Sequence, residues 1–317
     1  MNYSVKELFC ENNGQKIYGR MYMPTVKKDK YPLVICAHGF NANCDYHDEF
    51  GRQLAARGAC VYVFDFRGGG EKSRSEGSTL EMSLLTEVSD LDRVYNRLVK
   101  LDYVDKDRVF LLGGSQGGAV AALEAAKLKD KIKGLMLVYP GFMLPEKFRA
   151  LYPDDDLIPE SEYHFIMTVG KKYFIDAKTI DMWGTIGDYK GDVYIVHGDG
   201  DNVVPIDNSY KAMEIYDHCD LTVLPGLGHG FTGEDLKTCA ELMTEFLKEY
   251  TVTDVGNFGG NSVVTVKGIH SEFHTKSEII SMSGERYMVL TSFTDEEDAT
   301  TTILVAGNYE KLEDFEM

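Results

Sequence analysis

The sequence predicts an α/β fold: a mostly parallel, doubly wound sheet preceded by an antiparallel hairpin. Three observations lead there. Short apolar runs at Leu33–Ala37, Cys60–Asp65, Val109–Gly113, Gly134–Tyr139, Val193–His197 and Leu221–Leu224 lack the polar alternation of a half-exposed strand, so both of their faces are buried. Helical stretches near Asp48–Arg57, Leu84–Leu101, Gln116–Lys127, Ile206–Tyr216 and Leu236–Tyr250 separate them, and strand-helix alternation implies parallel strands. At the front, Leu8-Phe9-Cys10 and Ile17-Tyr18-Gly19-Arg20-Met21 flank Asn13-Gly14, a dipeptide suited to a tight hairpin turn.

A chain of 317 residues can bury a large core and hold one large domain or two unequal ones. Its net charge of -18 argues against a nucleic-acid partner and favours solubility. No run reaches the roughly 18 apolar residues of a membrane span, and Met1-Asn2-Tyr3-Ser4-Val5-Lys6-Glu7 is not a charged-then-apolar leader. Cys10, Cys36, Cys44, Cys60, Cys219 and Cys239 form no CxxC pair and several sit in apolar runs, as expected of reduced, buried thiols. A cytoplasmic location, with no membrane contact, is the expectation.

Two stretches break the strand-helix rhythm. Between Tyr139 and Asp192 lie about fifty residues rich in aromatics, among them Phe142, Phe148, Tyr152, Tyr173, Phe174 and the single tryptophan, Trp183. A connection of that length is expected to form a cap over a site, at about residues 141–190 of a main domain spanning 1–250. Phe142, Tyr173 and Trp183 are the candidate substrate contacts. After Tyr250, residues 251–317 form a β-rich appendage with strands expected at Ser262–Ile269, Glu278–Met282, Tyr287–Phe293 and Thr300–Val305. Such a small module packs on the main domain or on a second copy, which allows a homo-oligomer. His270, Glu272 and His274 would share a strand face, with Glu278 following; this is read as a solvated face, and no metal is expected.

The chemistry concentrates at strand ends. Gly113-Gly114-Ser115-Gln116-Gly117 lies between the run Val109–Leu112 and the helical Ala119-Val120-Ala121-Ala122-Leu123. Gly-x-Ser-x-Gly in that context is a nucleophile elbow, whose turn requires small neighbours. A serine hydroxyl needs a base, and the base needs an orienting partner. Asp201, after Val193–His197, and His229, after Leu221–Leu224, stand on successive strand-end loops in the order Ser, Asp, His. Asp199 is the competing acid; the Asp-x-x-Val-Pro spacing favours Asp201 and leaves Asp199 to the turn. The oxyanion hole is expected from two backbone N–H groups, those of Gln116 and of Phe40 in His38-Gly39-Phe40. His38 is read as a structural hydrogen-bonder. Asp65-Phe66-Arg67-Gly68-Gly69-Gly70 lacks the order of a phosphate loop and is read as a turn buttressing the site.

Together these motifs resemble the α/β-hydrolase superfamily over residues 1–250. The inserted segment followed by Tyr189-Lys190-Gly191-Asp192-Val193 is similar to the bacterial cinnamoyl and feruloyl esterases, from which the β-rich tail is a departure. The resemblance implies a carboxylic-ester hydrolase that cleaves hydroxycinnamoyl-type or short-acyl esters through an acyl-enzyme, with a small-molecule ester as its partner and no metal or organic cofactor. The alternatives are a monoacylglycerol-type lipase, a thioesterase or a serine peptidase with the same triad, and a non-catalytic binding protein on a hydrolase fold.

Overall fold

A computed structural model describes residues 3–248 and three strands beyond them. The chain divides into two compact units, Met1–Leu247 and Lys248–Met317.

The first unit is organised by an eight-stranded sheet. In chain order its strands are β1 (Tyr3–Glu7), β4 (Gly19–Pro24), β5 (Tyr31–Ala37), β6 (Cys60–Phe64), β7 (Val104–Gly114), β8 (Gly134–Val138), β11 (Asp192–Gly198) and β12 (Cys219–Leu224). In space they run β1-β4-β6-β5-β7-β8-β11-β12. The two pairings made by β4 are antiparallel; all the others are parallel. Every residue of β5, β6 and β8 is buried, which is why these strands read as unbroken apolar runs. The helices between them are α1 (Asp48–Ala56), α2 (Leu84–Leu98), α3 (Gln116–Leu128) and α7 (Asp207–Ile215), and α8 (Gly233–Lys248) follows the last strand. α3 is buried on nearly all sides because alanines and glycines let the neighbouring elements approach it closely.

The amino-terminal hairpin differs from the expectation. The turn at Asn13-Gly14 forms, with positive φ angles of 52 and 75° at its two residues, as a tight hairpin of this kind requires. Its arms are only β2 (Cys10–Asn12) and β3 (Gln15–Ile17), which make a separate two-stranded sheet. β1 and β4, on either side, are the strands that join the main sheet. A hairpin this short is marginal on its own, and polar side chains hold it in place. Buried Asn12 donates to Asp90 Oδ1 at 2.8 Å, and Arg67 reaches Gln15 Oε1 at 2.6 Å while its Nε meets Asp90 Oδ1 at 2.6 Å. The Asp90 carboxylate is fully buried.

Between β8 and β11 the chain forms α4 (Leu144–Leu151), a hairpin of β9 (Ser161–His164) and β10 (Met167–Gly170), α5 (Lys171–Lys178) and α6 (Met182–Ile186). Phe148 is the hub of this insertion, with its ring 5.2 Å from Phe174 and 5.3 Å from Tyr173. The six cysteines are free thiols. Among the described residues no helix is long and apolar enough to cross a membrane.

In the second unit, β13 (Lys276–Ile280), β14 (Arg286–Ser292) and β15 (Thr302–Gly307) form an antiparallel sheet in that order. The expected strand Ser262–Ile269 and the His270, Glu272, His274 face lie outside the described residues.

Removing one partner of a buried ion pair strands the other charge. Arg67→Ala is therefore expected to cost about 3 kcal/mol, and a loss below about 1 kcal/mol in urea denaturation would contradict the anchoring role given to the Arg67–Asp90 pair.

Candidate active site

β7 and α3 meet at Ser115 with no residue to spare. Its backbone lies at φ 55° and ψ -123°, a strained conformation for a residue with a side chain. Close packing makes the turn possible. A Cβ on Gly113 would stand 2.3 Å from Gly117 O, and one on Gly117 would stand 2.1 Å from Ala37 O, so only glycine fits at either position. Hydrogen bonds hold the serine from the other side: its N–H donates to Val138 O at 2.9 Å, and its carbonyl accepts from Gly141 N at 2.8 Å.

The loops after β11 and β12 bring Asp201 and His229 to this serine. His229 Nε2 lies 3.0 Å from Ser115 Oγ, and His229 Nδ1 lies 2.7 Å from Asp201 Oδ2. With Nδ1–H donated to the carboxylate, Nε2 presents its lone pair to the serine hydroxyl, the tautomer a general base needs. The Tyr139 ring packs on the imidazole with centroids 4.5 Å apart and fixes its plane. Tyr139 itself is held by a hydroxyl–hydroxyl contact with Tyr46 and by the Phe231 ring at 4.9 Å. The sequence showed Tyr139 only as a strand end; Pro140 directly after it was the available hint of a special turn.

Asp201 must stay charged although it is buried. Burial opposes ionisation, but hydrogen bonds from His197, His229 and the Val204 N–H outweigh it and hold the carboxyl well below the usual carboxylate range. The Val203 and Val204 N–H groups each reach Oδ1 at 2.8 Å. Asp199 does something else: its Oδ1 accepts from Gly226 N at 2.5 Å and closes the turn between the two loops.

The two expected oxyanion donors flank the serine. Gln116 is the first residue of α3, where a backbone N–H has no partner within the helix. The turn that carries Phe40 runs so close that a Cβ on Gly39 would lie 3.2 Å from Ser115 Cβ. His38, beneath it, is fully buried, accepts from Phe66 N at 3.0 Å and bonds to Gly39 O at 2.8 Å through Nδ1, a structural role. The turn after β6 supports the same loop: Asp65 accepts from Cys44 N and Arg74 N at 2.7 Å each, and Asn41 N donates to Gly69 O at 3.1 Å.

Ser115 and His229 open into a cavity of about 370 Å³. Phe40, Tyr46, Tyr139 and Tyr173 give it aromatic walls, Met143, Leu144 and Ile166 aliphatic ones, and Lys147 and His164 stand on the cap side. Tyr173, a candidate from the sequence, is among the lining residues. Phe142 and Trp183 are not. Phe142 is fully buried and packs edge-on against Trp183 at 5.6 Å, and Lys211 Nζ sits 4.0 Å from the centroid of the indole. Phe142 belongs to the main hydrophobic core and Trp183 packs against it, so both rings are taken up in packing. Among the described residues no group of three or more His, Cys, Asp or Glu is placed to hold a metal ion.

The comparisons with known proteins agree with this fold. A family model described as alpha/beta hydrolase fold matches residues 32–162. Monoglyceride lipase from Rattus norvegicus is 32% identical over 129 residues, 40% of either chain, so this chain matches well under half of that relative's length. Est1E from Butyrivibrio proteoclasticus, in a structure with bound ferulic acid, is 28% identical, with a TM-score of 0.69 over 77% of this chain and 98% of its own. An acetyl xylan esterase from Paenibacillus sp. R4 shares the fold at 17% identity and a TM-score of 0.62, over 78% of this chain and 84% of its own. This chain has the α/β-hydrolase fold. Among proteins of that fold it resembles the cinnamoyl and feruloyl esterases.

The depressed Asp201 value carries a sign. A carboxyl held below its ordinary value of 3.8 stabilises the fold fully above that pH, and the contribution disappears as pH falls toward the folded value. The stability difference between wild type and Asp201→Asn in urea denaturation is expected to be largest near neutral pH and to narrow below about pH 4. A difference that stays constant into strong acid would contradict the charged, hydrogen-bonded assignment.

Proposed function

We propose that this protein is a serine carboxylic-ester hydrolase acting on esters of aromatic, hydroxycinnamoyl-type acids. The observation that carries the reading is the hydrogen-bonded chain Ser115–His229–Asp201 at the floor of an aromatic-walled cavity. Ser115 Oγ attacks the ester carbonyl carbon while its proton passes to His229 Nε2. Asp201 holds the ring and offsets the charge it gains. The negative charge that develops on the carbonyl oxygen meets the N–H groups of Phe40 and Gln116, each such donor contributing about 3 kcal/mol of transition-state stabilisation. As the tetrahedral intermediate collapses, His229 returns the proton to the departing alcohol and an acyl-Ser115 ester remains. A water molecule then gives its proton to His229, attacks the acyl carbon and releases the acid, and Ser115 regains its proton.

The acyl group would lie against Phe40 and Tyr173, whose ring centroids are 5.5 Å apart. The two rings are tilted at 45° and pack on each other, and an aromatic wall of this kind suits an aromatic acid laid against it; the ferulic acid in Est1E supports the same class. A second reading, a monoacylglycerol-type lipase, draws on Met143, Leu144 and Ile166 in the wall and on the monoglyceride lipase match.

Two measurements test these readings. Ser115→Ala is expected to lose about 10³-fold or more in kcat and all labelling by a fluorophosphonate probe; equal labelling of variant and wild type would remove Ser115 from the mechanism. Methyl ferulate is expected to give a higher kcat/KM than any member of a nitrophenyl ester series of increasing chain length, with the two classes compared at matched leaving-group reactivity. A clear preference for the decanoate would favour the lipase reading.

A further inference from the structure

The Gln116 side chain is held at both ends, deep beneath the elbow. Its Nε2 donates to Glu87 Oε2 at 2.8 Å, and its Oε1 accepts from the Tyr173 hydroxyl at 2.6 Å. All three residues are almost wholly excluded from solvent. Glu87 is the unusual member. Its carboxyl is fully buried, its Oε1 has no hydrogen-bond partner, and burial, opposed by the Gln116 hydrogen bond and reinforced by nearby Asp90, pushes its pKa well above the ordinary carboxylate range. A leucine would fill the same space without the desolvation penalty. The carboxyl therefore calls for a role beyond packing.

We infer that Glu87 is a positioning residue: it grips the Gln116 amide and thereby fixes the Gln116 backbone N–H that faces the oxyanion. The assignment rests on the hydrolase reading of Ser115. A strained residue persists only where its surroundings over-determine it. Ser115 is held on one side by Val138 and Gly141, and the clamp on Gln116 supplies the constraint on the other. α2 is itself registered against the cap. Ser83 caps its first turn and donates through Oγ to Asp176 Oδ2 at 2.6 Å, and Asp176 lies on α5, three residues after Tyr173. One turn into α2 stands Glu87. Glu87, Gln116 and Tyr173 thus form a bridge from α2 through the oxyanion side of the elbow to the cavity wall.

The experiment uses nitrophenyl acetate, whose small acyl group reads the elbow and not the cap, with active sites counted by fluorophosphonate titration. Glu87→Leu is expected to lower kcat per titrated site roughly 10- to 100-fold, with KM within about threefold. Affinity for an alkyl boronic acid, which forms a tetrahedral adduct on serine, should fall in parallel. Glu87→Gln keeps an acceptor oxygen for the Gln116 amide and should recover most of the loss. If Glu87→Leu does not fold, Gln116→Met retains the backbone N–H, removes the clamp and carries the same expectation. Unchanged kcat per titrated site, a loss seen only in KM, or a Glu87→Gln variant as impaired as Glu87→Leu would each overturn the clamp. A wild-type protein that neither labels nor turns over would instead sink the hydrolase reading, and the clamp with it.

Discussion

The close approach of Gly113, Gly117 and Ala37 is the contact on which the rest of the candidate site depends. Main chain from β5, β7 and α3 meets there at distances that exclude even a methyl group. That crowding leaves the chain one way through, with Ser115 at positive φ and its hydroxyl turned out over the strand ends. Everything else takes its position from this point. The Phe40 turn passes within contact of the serine, the α3 amino terminus brings to the same point a helix dipole and an N–H with no partner within the helix, and the parallel neighbours deliver their loops to the same edge. A parallel sheet does this by construction, since all of its carboxyl ends lie on one side.

Electrostatics impose the second constraint. A charged carboxylate behind the imidazole is useful only if it is shielded from water, yet shielding alone would neutralise it. The loop after β11 resolves the conflict by aiming two successive N–H groups, from Val203 and Val204, at Asp201 Oδ1 while His229 takes Oδ2. Buried His197 adds a contact at 3.4 Å from Oδ2 and is itself tied to Ser209 Oγ at 2.7 Å. The Asp-x-x-Val-Pro spacing has a physical meaning here: it curls the backbone around its own side chain.

Much of this was legible in the sequence because it is local. An apolar strand followed by a tight turn is written in consecutive residues, so the six parallel strands and the Ser115, Asp201 and His229 loops could be read directly. The first hairpin was legible at its Asn13-Gly14 turn but not in its extent, since the anchors at Asp90 and Arg67 come from far along the chain. The cap was the hardest region. Its aromatics satisfy two demands, packing into the hydrophobic core and walling the cavity, and composition does not separate them. Trp183 and Phe142 serve the first and Tyr173 the second. Glu87 left no signal, because a single acid on the buried face of an otherwise ordinary helix looks like a solvated residue until its neighbours are known.

The division of labour within the cap bears on how its specificity can change. Phe142, Phe148 and Phe174 are bound into packing, so substituting them alters the fold before it alters the cavity. The turn of the β9–β10 hairpin is under no such restriction. Its turn residues Phe165 and Ile166 are exposed and yet line the cavity, and the tip is tethered to the body by a hydrogen bond from Asn41 Nδ2 to Ile166 O at 3.0 Å. Asn41 follows Phe40 directly, so the side of the cavity free to vary is fastened next to Phe40. The side that is fixed, through Tyr173, is fastened to Gln116. A cap built in this way can exchange the residues at its rim for a different acyl group while the geometry around Ser115 stays as the glycines set it.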